Sequence, residues 1–386
     1  MTPSRIAYVI GTTAGGTGRH AAMLARGAAA RRLAVSVFGP AAAGSLFPAA
    51  EFTLLDISER PRPARDAATV LRLRRLLARQ APDIVHAHGL RAGAITALAL
   101  ARAPRRQFAA MVVTVHNAAP SGVAPGAVYR ALERLAAQRA DAVLCVSADL
   151  ADRMRRAGAP DVALAVVPAP PAAAPSAEAV AKARADLGAA GAPVVLAVGR
   201  LAAQKGFDVL IEAMTALRDR DPAPLLVIAG DGPLAAQLAR RSRAAGGDVR
   251  FLGPRTDIPA LLAAADVIAV PSRWEGQPLI VQEALRAGRP LVASRVGGIP
   301  DLTGEDAALL VPSDNPGRLA SAILAVLDDP ALASALGAAA VARAGALPSE
   351  PDAVDAAISV YGRLASAPDR RGIGMRGRRM WPGRDS

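Results

Sequence analysis

The stretch Asp266-Val-Ile-Ala-Val-Pro271-Ser-Arg-Trp-Glu275-Gly-Gln-Pro278-Leu-Ile-Val-Gln-Glu283-Ala-Leu-Arg-Ala-Gly288-Arg-Pro290 decides the fold class. Val267–Val270 is a short apolar run bounded by Asp and Pro, which reads as a buried strand. Gly276 supplies a turn, Pro278 is a favoured first helical residue, and the apolar spacing predicts a helix over Pro278–Ala287 that stops at Gly288. Leu291–Ala293 is again a strand. A strand, a helix and a strand in so short a span form a parallel crossover, because a hairpin needs only a few linking residues.

The same alternation runs outward through the whole chain. Strands are predicted at Ile6–Ile10, Ala34–Phe38, Ile84–His86, Met111–Val115 and Ala142–Val146 in the first half. Further strands fall at Val194–Val198, Leu225–Ala229, Val249–Phe251 and Ala308–Val311. Helical spacing separates them over Ala21–Arg31, Val70–Gln80, Ala127–Arg139, Phe207–Arg218 and Arg318–Asp328. Pro168-Ala-Pro-Pro-Ala-Ala-Ala-Pro175 lacks amide donors at its prolines and reads as a semi-rigid linker. The expected fold is α/β: two Rossmann-like, doubly wound units facing one another across a cleft. The expected divisions are 1–172 for the first unit, 173–190 for the linker and entry, 191–350 for the second unit, 351–366 for a final helix, and 367–386 for a basic disordered tail.

Composition narrows the partners. With 386 residues, 52% of them apolar, the chain is large enough for about two packed domains. One cysteine, Cys145, cannot form an intrachain disulfide or a Cys-ligated zinc site, and a reducing cytoplasm fits. Ile6–Ile10 is too short for a signal-peptide core, and the uncharged stretch 107–129 contains His116, Asn117, Pro120 and Pro125, so neither export nor a membrane span is expected. The net charge of +13 is uneven: residues 1–172 hold 22 Arg and no Lys against 10 acids, whereas 173–366 hold 18 basic against 21 acidic residues. Aromatics are only 3% of the chain, which leaves few stacking platforms and weakens a nucleic-acid role.

Four groups of residues carry candidate chemistry. Ile10-Gly-Thr-Thr-Ala-Gly15-Gly16-Thr-Gly18-Arg-His20 leaves a strand and opens a helix, and such a turn offers amides and a helix dipole to an anion. It departs from the dinucleotide fingerprint, since Thr13 stands at the second glycine position and no acid ends the next strand. Val198-Gly-Arg200-Leu-Ala-Ala-Gln-Lys205-Gly206 places two cations beside a helix start, a setting for a diphosphate or for an ordinary solvated loop. Glu275 and Glu283 share one loop and its helix, so they cannot flank a scissile bond as a glycosidase pair does. They suit hydroxyl binding, one on a sugar and one on a ribose; a helix cap and a solvent-facing acid are the plainer reading. His86, His88 and His116 end strands in the first half, where a structural hydrogen bond, a sugar or phosphate contact, or a metal all use an imidazole. A metal is not expected, because no third ligand is evident from spacing.

Together these segments resemble the retaining glycosyltransferases of family 4, with their two-domain GT-B fold, over nearly the whole chain. Glu275-x7-Glu283 is the most specific element, supported by Gly199-Arg-Leu, Lys205-Gly206, Ala229-Gly-Asp-Gly-Pro233, Val296-Gly-Gly-Ile-Pro-Asp301, Val85-His-Ala-His88 and Val113-Thr-Val-His-Asn117. The resemblance implies a nucleotide-diphosphate sugar donor such as a UDP- or GDP-sugar. It puts Arg200 and Lys205 on the diphosphate, Glu283 on the ribose, and Glu275 with Gly276, Gln277, Pro278 and Leu279 around the transferred sugar. Gly15 and Gly16 would approach the diphosphate from the other unit, and His116 would be the active-site histidine. Gln277 stands where the family usually has an apolar residue, which bears on sugar preference. The final helix resembles one that crosses back to the first unit.

Retention by front-face attack is what the family implies, with no cofactor and no metal. His20 and His88 are the acceptor-side candidates, and the acceptor is a glycan, a lipid-linked group or a small molecule. Arg72, Arg75 and Arg79 lie opposite Val70, Leu73, Leu76 and Leu77 on one helix, so contact with anionic lipid at the inner membrane face accompanies an otherwise cytoplasmic expectation. The competing readings are another GT-B enzyme, an epimerase or a phosphorylase, and a non-catalytic nucleotide-sugar or nucleic-acid binder.

Overall fold

The structure is a computed structural model that describes residues 4–11, 16–48, 50–58, 62–101, 109–117, 123–189, 191–246 and 249–366. Two parallel sheets organise it. The first contains β1 (Arg5–Ile10), β2 (Ala34–Gly39), β3 (Glu51–Leu54), β4 (Ile84–His88), β5 (Ala110–Val115), β6 (Ala142–Cys145) and β7 (Val162–Leu164), in the order β3-β2-β1-β4-β5-β6-β7. The second contains β8 (Val194–Val198), β9 (Leu225–Ala229), β10 (Val249–Gly253), β11 (Val267–Val270), β12 (Leu291–Ser294) and β13 (Leu309–Val311), in the order β10-β9-β8-β11-β12-β13. Each sheet reverses its winding beside its first strand, between β1 and β4 and between β8 and β11. Ligands of such sheets bind at the carboxyl ends of the strands around that point.

The central strands are largely apolar and buried because helices cover both sheet faces. Every residue of β4, β5, β6, β9, β11 and β12 is buried. The edge strands β3 and β7 were not predicted. They have four and three residues and are largely half-exposed or exposed, so no apolar run marks them. Helix Leu90–Leu100 was not among the named helical runs. It is buried nearly all round, which erases the 3.6-residue period. The first helix begins at Gly16, five residues before the predicted start, over residues whose propensity alone is poor.

Helix Glu350–Ser366 follows the second sheet but packs on helix Gly16–Ala30 of the first unit. Tyr361 is fully buried there, with its hydroxyl 2.6 Å from His86 Nδ1 and 3.3 Å from the Tyr8 hydroxyl. Ion pairs Arg31–Asp355 and Arg363–Asp161 border the contact. The proline-rich stretch has no regular secondary structure and is clamped by helix Leu279–Arg286: Gln282 donates to the Val167 carbonyl and accepts from the Ala169 amide, each at 2.7 Å. Residues 367–386, the predicted disordered tail, lie outside the described residues.

Helix Pro63–Gln80 buries Leu73 and Leu77 and exposes Arg65, Leu71, Arg72, Arg75 and Arg79. Among the described residues no single helix is long and apolar enough to cross a membrane.

Candidate active site in the interdomain cleft

On the second unit the chain leaves β8, turns through Gly199 and Arg200, and makes a short 3-10 turn at Ala203–Lys205. Lys205 Nζ lies 2.5 Å from Glu275 Oε1, and Ser272 donates to the same oxygen at 2.7 Å. Gln204 adds a contact to the other carboxylate oxygen at 3.3 Å. Both side chains of the Lys205–Glu275 pair are largely removed from solvent, 19% and 5% exposed. The sequence reading gave these two residues separate tasks, yet the fold joins them in one desolvated ion pair. Arg200 is exposed and forms no ion pair among the described residues.

Arg273 bolts the two loops together. Its guanidinium pairs with Asp208 at 2.8 and 2.9 Å, reaches Asp314 at 2.6 Å, and donates to the Ala203 carbonyl at 2.8 Å. The paired guanidinium holds the Asp208 carboxyl below its ordinary range. From the other side, Gly297 has φ +52°, and a Cβ there would lie 1.9 Å from the Glu275 carbonyl oxygen. Only glycine lets this loop approach so closely, and the Gly298 amide then donates to the Gly276 carbonyl at 2.9 Å. Ser272 and Arg273 were read in the sequence only as part of the motif, because their partners lie far away in the chain.

Helix Leu279–Arg286 starts one residue later than predicted, with Pro278 as its cap. Glu283 is half-buried, and its carboxyl forms no hydrogen bond among the described residues. Burial pushes its carboxyl above the usual range, opposed by Arg19 from the first unit and Arg286 from its own helix. Arg19 was not singled out in the sequence, because nothing local shows that its helix faces Glu283. Gln277 borders the same space, and its Oε1 is buried without a hydrogen-bond partner among the described residues.

On the first unit Gly16 opens its helix opposite Leu279, whose Cδ1 would lie 3.5 Å from a Cβ at Gly16. Gly15 lies outside the described residues. His116 follows β5 and His88 ends β4, with His88 Nδ1 3.1 Å from His116 Nε2. His20 comes from the first helix and places Nε2 3.1 Å from the Val166 carbonyl. Burial pulls the imidazoles down, His20 to about 4 and His86 to about 3, and His88 and His116 well below their ordinary value. Burial thus favours the neutral form of all four. His86 is consumed structurally, between the Tyr361 hydroxyl and the Thr114 hydroxyl, each at 2.6 Å.

One cavity of about 1110 Å³ lies between the units. Gly16 and His116 line it from the first unit, and Arg200, Lys205, Glu275 and Glu283 from the second. His20 and His88, expected on the acceptor side, are both buried outside the cavity lining, and His88 is hydrogen-bonded to His116. A smaller cavity of about 680 Å³ lies at the amino ends of β8 and β12, away from the cleft. Its charged lining is already engaged, Arg184 with Asp266 and Arg289 with the Ala263 carbonyl.

Comparison with known proteins follows the same division. Residues 14–170 match the family model described as Glycosyltransferase Family 4, and residues 192–329 match the one described as Glycosyl transferases group 1. The D-inositol 3-phosphate glycosyltransferase of Corynebacterium glutamicum is 40% identical over 152 residues, covering 35% of this chain and 35% of that protein. A glycogen synthase of Mycobacterium tuberculosis is 35% identical over 271 residues, 65% of this chain and 62% of the relative. The chain thus spans about a third to three fifths of the length of the curated relatives it matches. Among solved structures, Anabaena Alr3699/HepE in complex with UDP and glucose superposes with a TM-score of 0.76 at 22% identity, over 94% of this chain and 99% of that one. Sucrose-phosphate synthase from Thermosynechococcus elongatus gives 0.74 at 24% identity, over 94% and 99%. At these identities the structures share the fold.

Proposed function

The chain belongs to the glycosyltransferases of family 4, with the GT-B architecture, and from that premise we propose that it moves a hexosyl unit from a nucleotide-diphosphate sugar to an acceptor hydroxyl with retention. One observation carries the reading. A single cavity joins the Lys205–Glu275 pair, Arg200 and the unbonded Glu283 carboxyl of one unit to Gly16 and His116 of the other.

The chemistry follows from what each group offers. Arg200 and Lys205 hold the diphosphate and stabilise the negative charge that grows on it as the sugar departs. Lys205 has three donors, so it can keep Glu275 while it reaches a phosphate oxygen. Glu283 accepts from the ribose hydroxyls, and Glu275, the backbone around Gly276 and His116 orient the sugar. The anomeric carbon bonds to the acceptor oxygen as its bond to the diphosphate breaks, and the acceptor proton passes to the departing phosphate oxygen. The two cations supply the charge that a diphosphate-bound metal supplies elsewhere. The solved neighbour that holds UDP and glucose makes uridine diphosphate sugars the first donors to try.

Thermal unfolding against UDP, GDP, ADP and dTDP and their sugar conjugates, with chelator present, tests this. A selective rise in melting temperature with one base is expected, because a ligand bound only by the folded state stabilises it. No shift with any nucleotide, confirmed by calorimetry, overturns the donor site. Analysis of the product separates a new glycoside plus free nucleotide from an epimerised donor.

Glu283 supplies a sharper test. Its raised pKa means that the native state holds this proton to higher pH than the unfolded chain does. Native stability therefore falls as pH rises from the ordinary carboxyl range through the raised value. Glu283→Gln should remove that slope, raise the melting temperature of the free protein at pH 7, and abolish the nucleotide-induced shift.

For the acceptor, the exposed Arg65, Leu71, Arg72, Arg75 and Arg79 on helix Pro63–Gln80 support peripheral contact with an anionic lipid surface. Co-sedimentation should grow with the anionic lipid fraction and fade in high salt. Equal binding to neutral vesicles removes this part of the reading.

A further inference from the structure

The chain has four histidines, and three of them, His20, His88 and His116, bring one ligand-capable nitrogen each to within 4.8 Å of one another. They arrive from a helix, the end of β4 and the residue after β5. All three are buried. His88 Nδ1 and His116 Nε2 are 3.1 Å apart. Two imidazole nitrogens on one tetrahedral Zn²⁺, each at about 2.0–2.1 Å, lie about 3.3–3.4 Å apart, close to that spacing.

The remaining hydrogen bonds point the same way. His20 Nε2–H donates to the Val166 carbonyl at 3.1 Å, which leaves the lone pair on Nδ1. That Nδ1 is buried and has no hydrogen-bond partner among the described residues, and His88 Nε2 is in the same condition. A backbone carbonyl on the far nitrogen is the usual device that orients a metal-ligating imidazole. Protein groups alone thus leave the buried His20 Nδ1 lone pair unsatisfied beside the close His88–His116 pair, whereas His88 Nε2 is the far ring nitrogen when His88 ligates through Nδ1.

We infer that His20, His88 and His116 form a binding site for one borderline divalent transition-metal ion of the Zn²⁺ and Co²⁺ class. Three neutral imidazoles with no carboxylate among them select such ions over Mg²⁺ or Ca²⁺, which require oxygen ligands. His116 borders the cleft cavity, so water can complete the fourth position. The nitrogens lie within 4.8 Å of one another, so tetrahedral spacing asks the rings to approach by at most roughly 1.5 Å. The site lies wholly within the first unit, apart from Arg200 and Lys205. The site shares His116 with the transfer reading, but its test needs neither donor nor acceptor, so failure of one reading is distinguishable from failure of the other.

The experiment uses the full chain without a polyhistidine tag. Calorimetric titration with Zn²⁺ should give one equivalent bound, on the order of micromolar or tighter, and Mg²⁺ should give no heat. Co²⁺ should develop the intense visible absorption of a tetrahedral nitrogen site. Loss of an outer-shell partner alone costs about 10–100-fold in affinity, so His20→Asn should weaken Zn²⁺ by at least about 100-fold. Circular dichroism checks that this variant folds, and His88→Gln repeats the test if it does not. Absence of saturable Zn²⁺ binding, a weak octahedral Co²⁺ spectrum, or undiminished binding by folded variants overturns the site.

Discussion

Lys205→Met is expected to lower kcat by about 10²–10³-fold, the usual cost of removing one group that stabilises charge developing in a transition state. Methionine keeps much of the side-chain length but neither the charge nor the donors. It also leaves Glu275 buried with Ser272 and Gln204 as its remaining side-chain partners. Stability should fall too, by up to about 3–5 kcal/mol, because removing one member of a buried pair strands the other charge. Glu275→Gln should cost less stability, since Lys205 is the more exposed partner and lines the cavity, where water can solvate it. The double variant Lys205→Met/Glu275→Gln should recover part of the stability but none of the turnover. Steady-state kinetics and thermal unfolding of the three variants check this together. Wild-type kcat in Lys205→Met removes the residue from the transfer step.

Gly276→Ala should reduce turnover by at least about 100-fold, because small displacements of reacting groups carry costs of that size. A Cβ at Gly276 would lie 2.3 Å from the His116 carbonyl oxygen and 2.6 Å from Val146 Cγ2. Both neighbours belong to the other unit, so the clash is relieved if the units separate. Circular dichroism should therefore look native while small-angle scattering reports a larger radius of gyration. Donor affinity should change less than kcat, because the second unit carries most of the donor contacts. Unchanged turnover with an unchanged radius shows that the cleft tolerates the methyl.

Much of the fold was legible because its periodicity is local. Val194–Val198, Leu225–Ala229 and Val267–Val270 are apolar runs that became strands with the predicted ends. The glycine-rich turn before Gly16, the loop at Arg200 and the Glu275–Glu283 segment each follow a strand, so their place at the carboxyl ends follows from chain order alone. Edge strands β3 and β7 escaped because their stability comes from pairing with a neighbour rather than from an apolar run of their own.

The residues by themselves determined the α/β class, the two-unit organisation, and which segments carry chemistry, since strand and helix signals repeat within a few residues. Tertiary structure alone decided the partnerships. It joined Lys205 to Glu275 across 70 positions, set Arg19 opposite Glu283, and gathered His20, His88 and His116 from three separate elements. A side chain's ionisation and reach depend on what lies within a few ångströms, and that neighbourhood comes from sheet order and crossover geometry rather than from spacing along the chain.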